Sequence, residues 1–139
     1  MIAALDVHYG PQGAIAAGIL LENWASDRAI LHVVETVGAI AAYEPGSFYK
    51  RELPCLLKAL AKMPDIFRAV IVDGYVWLGP DARAGLGAHL FRALGAGIPV
   101  VGVAKSAFTA TTNAIPVLRG RIRRPLYVSA IGMDVSEAA

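Results

Sequence analysis

Short apolar runs separated by turn residues divide the first third of the chain. Residues 1–6, 13–21 and 29–36 are rich in Ala, Val, Ile and Leu, and a turn at Gly10-Pro11 separates the first two runs. Runs of this length and composition predict β-strands. Because the connections between the runs are short, the three strands are expected to form an antiparallel meander.

The next segment has the periodicity of a helix. Between residues 51 and 63, leucines recur at spacings that place them on one helix face: Leu53, Leu56, Leu57 and Leu60. Pro54 would lie in the first turn of this helix, or would mark a kink if the helix begins near Ser47. Residues 38–46 predict the loop that precedes the helix.

Strands and helices alternate in the second half of the chain. Apolar runs at residues 69–73 and 98–103 predict two strands, and Asp81 is a candidate N-cap for a helix that ends near Leu94. Residues 126–129 predict a short extended segment. The order of elements predicts an α/β fold: a ribonuclease-H-like mixed five-stranded sheet, an antiparallel meander followed by parallel strands, flanked by helices. We expect a single domain over residues 1–139.

The amino-acid composition predicts an oligomeric state and a cellular compartment. Apolar residues make up 56% of the 139 positions and charged residues only 17%, which is more apolar surface than a monomer of this size readily buries. We therefore expect a homo-oligomer, most simply a two-fold dimer. No apolar run is long enough to cross a bilayer, so no membrane association is predicted. The single cysteine, Cys55, cannot form an internal disulfide, which favours the cytoplasm.

Positive charge is concentrated near the end of the chain, although the net charge is only +2. No acidic residue occurs between positions 99 and 133, and this segment contains five basic residues: Lys105, Arg119, Arg121, Arg123 and Arg124. Such a segment predicts contacts with the phosphates of DNA or RNA. A basic loop that is simply solvated is the alternative.

Three carboxylates occupy positions that suit a metal site. Asp6 and Asp73 each end an apolar run, and Glu52 opens the helical pattern. Because chemistry in α/β sheets collects at strand ends, these side chains could converge on one or two divalent cations. Oxygen ligands of this kind suit Mg²⁺ or Mn²⁺. The structural alternatives are aspartates that only cap turns and a glutamate that only interacts with the helix dipole.

Six short motifs lie along nearly the whole chain in a fixed order: Leu5-Asp6-Val7-His8-Tyr9, Tyr43-Glu44-Pro45-Gly46 with Lys50-Arg51-Glu52, Val72-Asp73-Gly74, Gly87-Ala88-His89-Leu90, residues 98–106 and residues 125–129. Taken together, they resemble the endonuclease V family, the metal-dependent nucleases that act on deaminated nucleic acid. Six matches in the same order and at similar spacing indicate the family's fold, and they make its chemistry the expected one.

The resemblance implies a role for each matching residue. Asp6, Glu52 and Asp73 would be the metal-binding carboxylates of the catalytic site. Lys105 would lie near the scissile phosphate. Tyr43 would belong to a wedge that enters the duplex, and the remaining matches assigned to nucleic-acid binding are Pro45, Gly46 and Gly74. The implied activity is Mg²⁺-dependent or Mn²⁺-dependent hydrolysis of phosphodiester bonds near hypoxanthine in DNA or RNA, with a role in DNA repair.

The chain also departs from the family's pattern at several positions. Met133 stands where the family has a histidine, and a thioether cannot transfer protons as imidazole does. Tyr75 and Val76 replace a histidine and a glycine after Asp73-Gly74, and Glu44 adds a negative charge to the wedge. Two alternatives therefore stay open: a non-catalytic nucleic-acid-binding or assembly relative, and a nuclease with a different substrate.

Overall fold

The structure is a computed structural model that describes residues 1–38, 42–45, 47–108 and 113–139. These residues form two compact units, Met1–Val70 and Ile71–Ala139. The single domain expected over residues 1–139 stays a prediction.

The first unit begins with the predicted antiparallel meander. Its strands are β1 (Ile2–Gly10), β2 (Gly13–Leu21) and β3 (Leu31–Val37). β2 lies between its neighbours, with Leu5 of β1 opposite Gly18 and Val34 of β3 opposite Ala17. The meander is confirmed, and the bounds of β2 are those expected from its apolar run.

β1 is longer than its apolar run predicted, which changes the position of Asp6. The strand continues past Asp6 to Gly10, because Val7 pairs with Ala16 and Tyr9 pairs with Ala14. Valine and tyrosine favour the pleated conformation even where polar residues interrupt the run. The prediction that Asp6 ends the strand is therefore wrong, and Asp6 lies in the middle of β1.

α1 (Phe48–Leu60) packs on β1, β2 and β3 and follows Ser47 as its N-cap. The helix begins near Ser47, so Pro54 lies inside it and not in its first turn, and the kink expected for that case stays a prediction. The buried face of α1 comprises Glu52, Cys55, Leu56, Ala59 and Leu60. Gly18 of β2 permits this packing, because a Cβ there would collide with Leu5 and Met63.

β4 (Ala69–Asp73) has the predicted bounds and passes from the first unit into the second. A small hairpin of β5 (Trp77–Leu78) and β6 (Arg83–Ala84) follows it, and α2 (Leu86–Ala93) comes next. The prediction that Asp81 starts this helix is wrong. Gly79 and Ala82 adopt positive φ angles of 70° and 48°, so residues around Asp81 form the hairpin turn instead.

The remaining elements are β7 (Val100–Ala104), β8 (Ile115–Val117), β9 (Leu126–Ile131) and the short helix α3 (Val135–Ala138). In the second unit the strand order is β4-β7-β9-β8, and in the first unit it is β3-β2-β1-β4. β9 is antiparallel to β7 and β8. Counting β4 once, these strands number seven rather than the expected five. The mixed α/β class with flanking helices is confirmed.

Candidate active site

Asp73 and Lys105 form an ion pair at the ends of two strands in the second unit. Asp73 is the last residue of β4, and Lys105 directly follows β7. Lys105 Nζ lies 3.2 Å from Asp73 Oδ2, and the side chains of Lys105 and Asp73 are 77% and 41% exposed. An ion pair this exposed contributes little to stability, so both groups are available to other partners.

The backbone beside this pair is held by close packing and by a buried hydroxyl. Gly74 N donates to Val103 O at 2.9 Å, and Val76 N donates to Ser129 Oγ at 3.0 Å. Ser129 is fully buried, and its hydroxyl lies 3.4 Å from Gly102 O. A Cβ on Gly102 would lie only 2.9 Å from both Val76 N and Ser129 Oγ. The segments that carry Asp73 and Lys105 are therefore fixed to each other by backbone contacts.

Tyr75 extends this arrangement to the residues that follow Lys105. Its hydroxyl donates to Ser106 O at 2.7 Å and accepts from Phe108 N at 3.2 Å. Tyr75 is only 9% exposed, and its ring lies against the Phe108 ring, with centroids 6.2 Å apart. Burial raises the pKa of Tyr75, so the hydroxyl stays a hydrogen-bond donor. The sequence marks Tyr75 only as a departure from the family's histidine and does not reveal these contacts.

Val76 is also accommodated in the second unit. It is fully buried, and a Cβ on Gly87 of α2 would lie 2.7 Å from Val76 Cγ2. Gly87 therefore provides the space that the valine side chain occupies. Met133, which the resemblance puts in place of the family's histidine, is half-buried and lines an open cavity of about 360 Å³ with Trp77 and Asn113.

Glu52 belongs to a buried polar cluster in the first unit, where α1 packs on β1. Its side chain is only 3% exposed. The Arg51 guanidinium lies 3.9 Å from the centre of the Tyr9 ring, a cation–π contact. Burial first, and the Glu52 carboxylate second, raise the pKa of Tyr9 to about 12. The same two causes raise the pKa of the Cys55 thiol, which fits Cys55 as a packed side chain rather than an activated nucleophile.

Asp6 is exposed in the middle of β1. Its Oδ1 accepts a hydrogen bond from Val7 N at 2.8 Å. The side chain borders a shallow apolar depression of about 260 Å³ formed by β1 and β2, whose lining includes Ala4, Ala17 and Ile19. Asp6 therefore offers carboxylate oxygen to solvent.

The three predicted metal ligands differ in exposure. Asp6 and Asp73 present carboxylate oxygens to solvent, which are the hard donors that Mg²⁺ and Mn²⁺ prefer, whereas Glu52 is buried. Over the described ranges, no group of three or more His, Cys, Asp or Glu side chains is close enough to hold a metal ion. The metal site predicted from sequence therefore stays a prediction that rests on donor chemistry.

The predicted wedge is exposed where the structure describes it. Tyr43 is 61% exposed, and Pro45 is exposed as well. The Glu44 carboxylate pairs with Lys50 Nζ at 2.8 Å, which compensates the charge that distinguishes this wedge from the family's. Gly46 lies outside the described residues.

The basic segment predicted from sequence forms an exposed turn in the second unit. Ile122 N donates to Arg119 O at 3.0 Å, and Gly120 adopts a positive φ of 53°. The four arginines of this turn are all exposed, and none forms an ion pair with a described residue: Arg119, Arg121, Arg123 and Arg124. Their guanidinium groups are available to bind anions.

Comparison with known proteins places the chain in a family. A model of the endonuclease V family matches residues 1–137. Endonuclease V of Streptomyces coelicolor is 33% identical over 120 residues, covering 86% of this chain and 50% of that protein. The crystal structure of endonuclease V from Streptomyces avermitilis is 28% identical with a TM-score of 0.76, covering 99% of this chain and 68% of that one.

A third similar structure contains nucleic acid. Ciona intestinalis endonuclease V, in complex with a 24mer DNA containing an inosine followed by a ribo-adenosine, has a TM-score of 0.77 and 17% identity, covering 99% of this chain and 74% of that one. This chain spans about half the length of its S. coelicolor relative, 50%. No helix among the described residues is long and apolar enough to span a membrane. Because the family model matches almost every position, the chain belongs to the endonuclease V family.

Proposed function

We propose that the chain is a metal-dependent endonuclease that hydrolyses phosphodiester bonds in DNA or RNA near hypoxanthine. The observation that carries this proposal is the exposed pair of Asp73 and Lys105, 3.2 Å apart at the ends of β4 and β7 in a member of this family. A carboxylate that can bind a cation and an ammonium group that can bind phosphate, placed side by side, suit the stabilisation of the charge that develops during phosphodiester hydrolysis.

The carboxylates would hold Mg²⁺ or Mn²⁺. Asp6 and Asp73 would supply exposed oxygen ligands, and Glu52 would contribute from the buried face of α1. When bound, such a cation stabilises the charge that develops on the phosphate. Lys105 would add to that stabilisation, because its ammonium group lies 3.2 Å from Asp73 Oδ2 and would reach a phosphate oxygen bound beside that carboxylate.

The basic turn would bind the nucleic-acid backbone. Its four exposed arginines can neutralise phosphates without reading the base sequence. Tyr43 would enter or stack against the substrate from the first unit, since it is 61% exposed. The DNA-bound Ciona intestinalis relative supports nucleic acid as the substrate. A role in DNA repair follows if hypoxanthine in DNA is the preferred target.

We also propose that the protein is a cytoplasmic homodimer. The buried free thiol of Cys55 is typical of a reducing compartment. Apolar residues make up 56% of the chain, and large apolar side chains such as Ile30, 55% exposed, and Ile66, 49% exposed, face water in the first unit. Burial of such side chains against a second copy would remove them from water. Light scattering at micromolar concentration is expected to give the mass of a dimer, and a monomer mass would contradict this.

The test of the activity compares matched DNA and RNA oligonucleotides, with and without one central hypoxanthine, in Mg²⁺ and in Mn²⁺. We expect metal-dependent cutting near hypoxanthine, and a loss of roughly 100-fold or more in Asp73→Asn. Asp65→Asn removes an exposed carboxylate elsewhere and is expected to cut like the wild type. If both variants cut equally well, the assignment of Asp73 is wrong.

The same experiment decides between the proposal and its alternatives. The buried Tyr75 and Val76 side chains after Asp73-Gly74 favour, as the second candidate, a nuclease that does not require hypoxanthine. Cutting of every oligonucleotide regardless of base would select that candidate. Binding without cutting, by folded protein in the presence of metal, would indicate a non-catalytic nucleic-acid-binding relative.

A further inference from the structure

Two hydrogen bonds in the second unit, one before and one after Lys105, join the backbone around this lysine to the segment that follows Asp73. Gly74 N donates to Val103 O at 2.9 Å, two residues before Lys105, and the Tyr75 hydroxyl donates to Ser106 O at 2.7 Å, one residue after it. Both bonds come from the residues that directly follow Asp73. The backbone of Lys105 is thus tied on both sides to the segment that carries its carboxylate partner.

The Tyr75 side chain forms the second of these two hydrogen bonds, and the residues around its ring and hydroxyl hold it in place. It is 9% exposed and its ring lies against Phe108, and its hydroxyl also accepts from Phe108 N at 3.2 Å. The hydroxyl therefore joins three backbone positions, those of residues 75, 106 and 108. Removal of the hydroxyl would leave Ser106 O and Phe108 N without this partner and would release the chain after β7.

We propose that Tyr75 is a positioning residue that holds Lys105 against Asp73 and thereby sets where the lysine meets the substrate phosphate. The inference deepens the proposed nuclease function and rests on it for the role of Lys105. The Lys105 side chain is 77% exposed and packs against little, so its reach depends on where its backbone lies. A displacement of about 1 Å in a group that contacts the reacting phosphate can cost up to roughly 100-fold in rate.

The kinetic test uses Tyr75→Phe, which removes only the hydroxyl. We expect kcat to fall by about tenfold with KM changed by less than about twofold, because the lysine acts on charge that develops in the transition state. In a Lys105→Ala background the same change is expected to alter kcat by less than about twofold, since the two substitutions disable one function. Independent, multiplying effects of the two substitutions would overturn the proposal.

Controls separate positioning from general disruption of the structure. Tyr127→Phe removes a hydroxyl from β9 that makes no hydrogen bond to any described residue, and it is expected to leave kcat unchanged. A loss of kcat in Tyr127→Phe as large as that in Tyr75→Phe would show that the hydrogen bonds of the Tyr75 hydroxyl are not what positions the lysine.

A second readout does not depend on cleavage. The chain has four lysines, at positions 50, 58, 62 and 105, so the side-chain signals of protein labelled with ¹³C-lysine are assigned by single substitutions. We expect Tyr75→Phe to move the Lys105 signal towards its position in Asp73→Asn. A Lys105 signal unchanged by Tyr75→Phe would overturn the inference. If the wild type cleaves nothing, the proposed function fails, but this measurement still decides whether Tyr75 holds Lys105 on Asp73.

Discussion

At the scale of single residues, the start of α1 shows how burial decides the protonation of a side chain. The Tyr9 hydroxyl and Arg51 Nε are both buried, and neither has a hydrogen-bond partner among the described residues. The guanidinium instead lies over the Tyr9 ring at 3.9 Å. Burial and the Glu52 carboxylate oppose ionisation of Tyr9 more than the Arg51 guanidinium favours it, so the raised pKa keeps Tyr9 neutral above the pH at which an exposed tyrosine ionises.

This arrangement predicts a pH dependence of stability. The pKa of Tyr9 is raised from 10.0 to about 12 in the folded protein. The contribution of neutral Tyr9 to the free energy of unfolding is therefore complete below pH 10, and it is lost as the pH rises to about 12. Tyr9→Phe cannot ionise and does not show this decline. We expect the free energy of unfolding of the wild type to fall more steeply than that of Tyr9→Phe over this range. Urea unfolding at a series of pH values measures the difference.

The control for this prediction is Tyr43→Phe, at a position that is 61% exposed in the wild type. It is expected to show the same pH dependence as the wild type. At neutral pH, Tyr9→Phe should be neutral or more stable by about 1 kcal/mol, because it removes a buried hydroxyl without a described partner. Parallel pH profiles of the free energy of unfolding for the wild type and Tyr9→Phe would contradict the conclusion that ionisation of Tyr9 causes the loss of stability.

Sequence reasoning at this scale identifies residue types better than contacts. The motifs that contain Asp73 and Lys105 lie far apart in the chain, and the structure brings the two charged groups to 3.2 Å. The contacts of Tyr75 cannot be predicted in this way, because the acceptor of its hydroxyl is the backbone of Ser106, and a backbone partner leaves no mark on the sequence. The available signal is an aromatic residue directly after Asp73-Gly74.

At the scale of elements, the packing between β7 and the segment after β4 depends on the absence of a side chain at Gly102. A Cβ there would lie 2.9 Å from Val76 N and from Ser129 Oγ and would collide with Gly74 O. Most of these neighbours are backbone atoms, which cannot rotate away. We expect Gly102→Ala to lower the free energy of unfolding by about 1–3 kcal/mol and also to lower cleavage, because the ends of both strands would separate.

Gly97→Ala is the matched control for this prediction. A Cβ on Gly97 would have no neighbour within 4 Å, and its φ lies outside the positive range. This variant should match the wild type within about 0.5 kcal/mol in urea unfolding. Equal stability of Gly102→Ala and Gly97→Ala would show that the strands can separate without cost.

The sequence predicts the bounds of a strand correctly where the apolar run and the strand that the structure shows cover the same residues. β2 and β4 have the predicted bounds, since each run is flanked by residues that end the strand. The helix after β4 starts later than expected, at Leu86 rather than directly after Asp81, because a hairpin with two positive φ angles occupies the intervening residues. Such a hairpin is defined by backbone hydrogen bonds, such as that from Gly85 N to Val76 O, and not by an apolar period.

At the scale of the whole molecule, the distribution of charge matters more than its sum. The net charge of +2 would give only weak attraction to nucleic acid. The four arginines between positions 119 and 124 nevertheless lie together in one exposed turn, and no described acidic side chain pairs with them. A concentrated positive surface of this kind neutralises phosphates locally and releases counterions, which a uniform charge of the same total would not do.

The same concentration of charge predicts how binding responds to salt. We expect Arg121→Gln with Arg123→Gln to weaken binding to duplex DNA and to reduce the slope of log K against log salt by up to about 0.9 for each phosphate that the variant no longer neutralises. Arg28→Gln with Arg68→Gln removes the same charge from exposed positions in the first unit and should leave the slope close to that of the wild type. Fluorescence anisotropy in Ca²⁺ at several salt concentrations measures both slopes. Equal weakening in the two double variants would mean that total charge, and not the arginine turn, holds the nucleic acid.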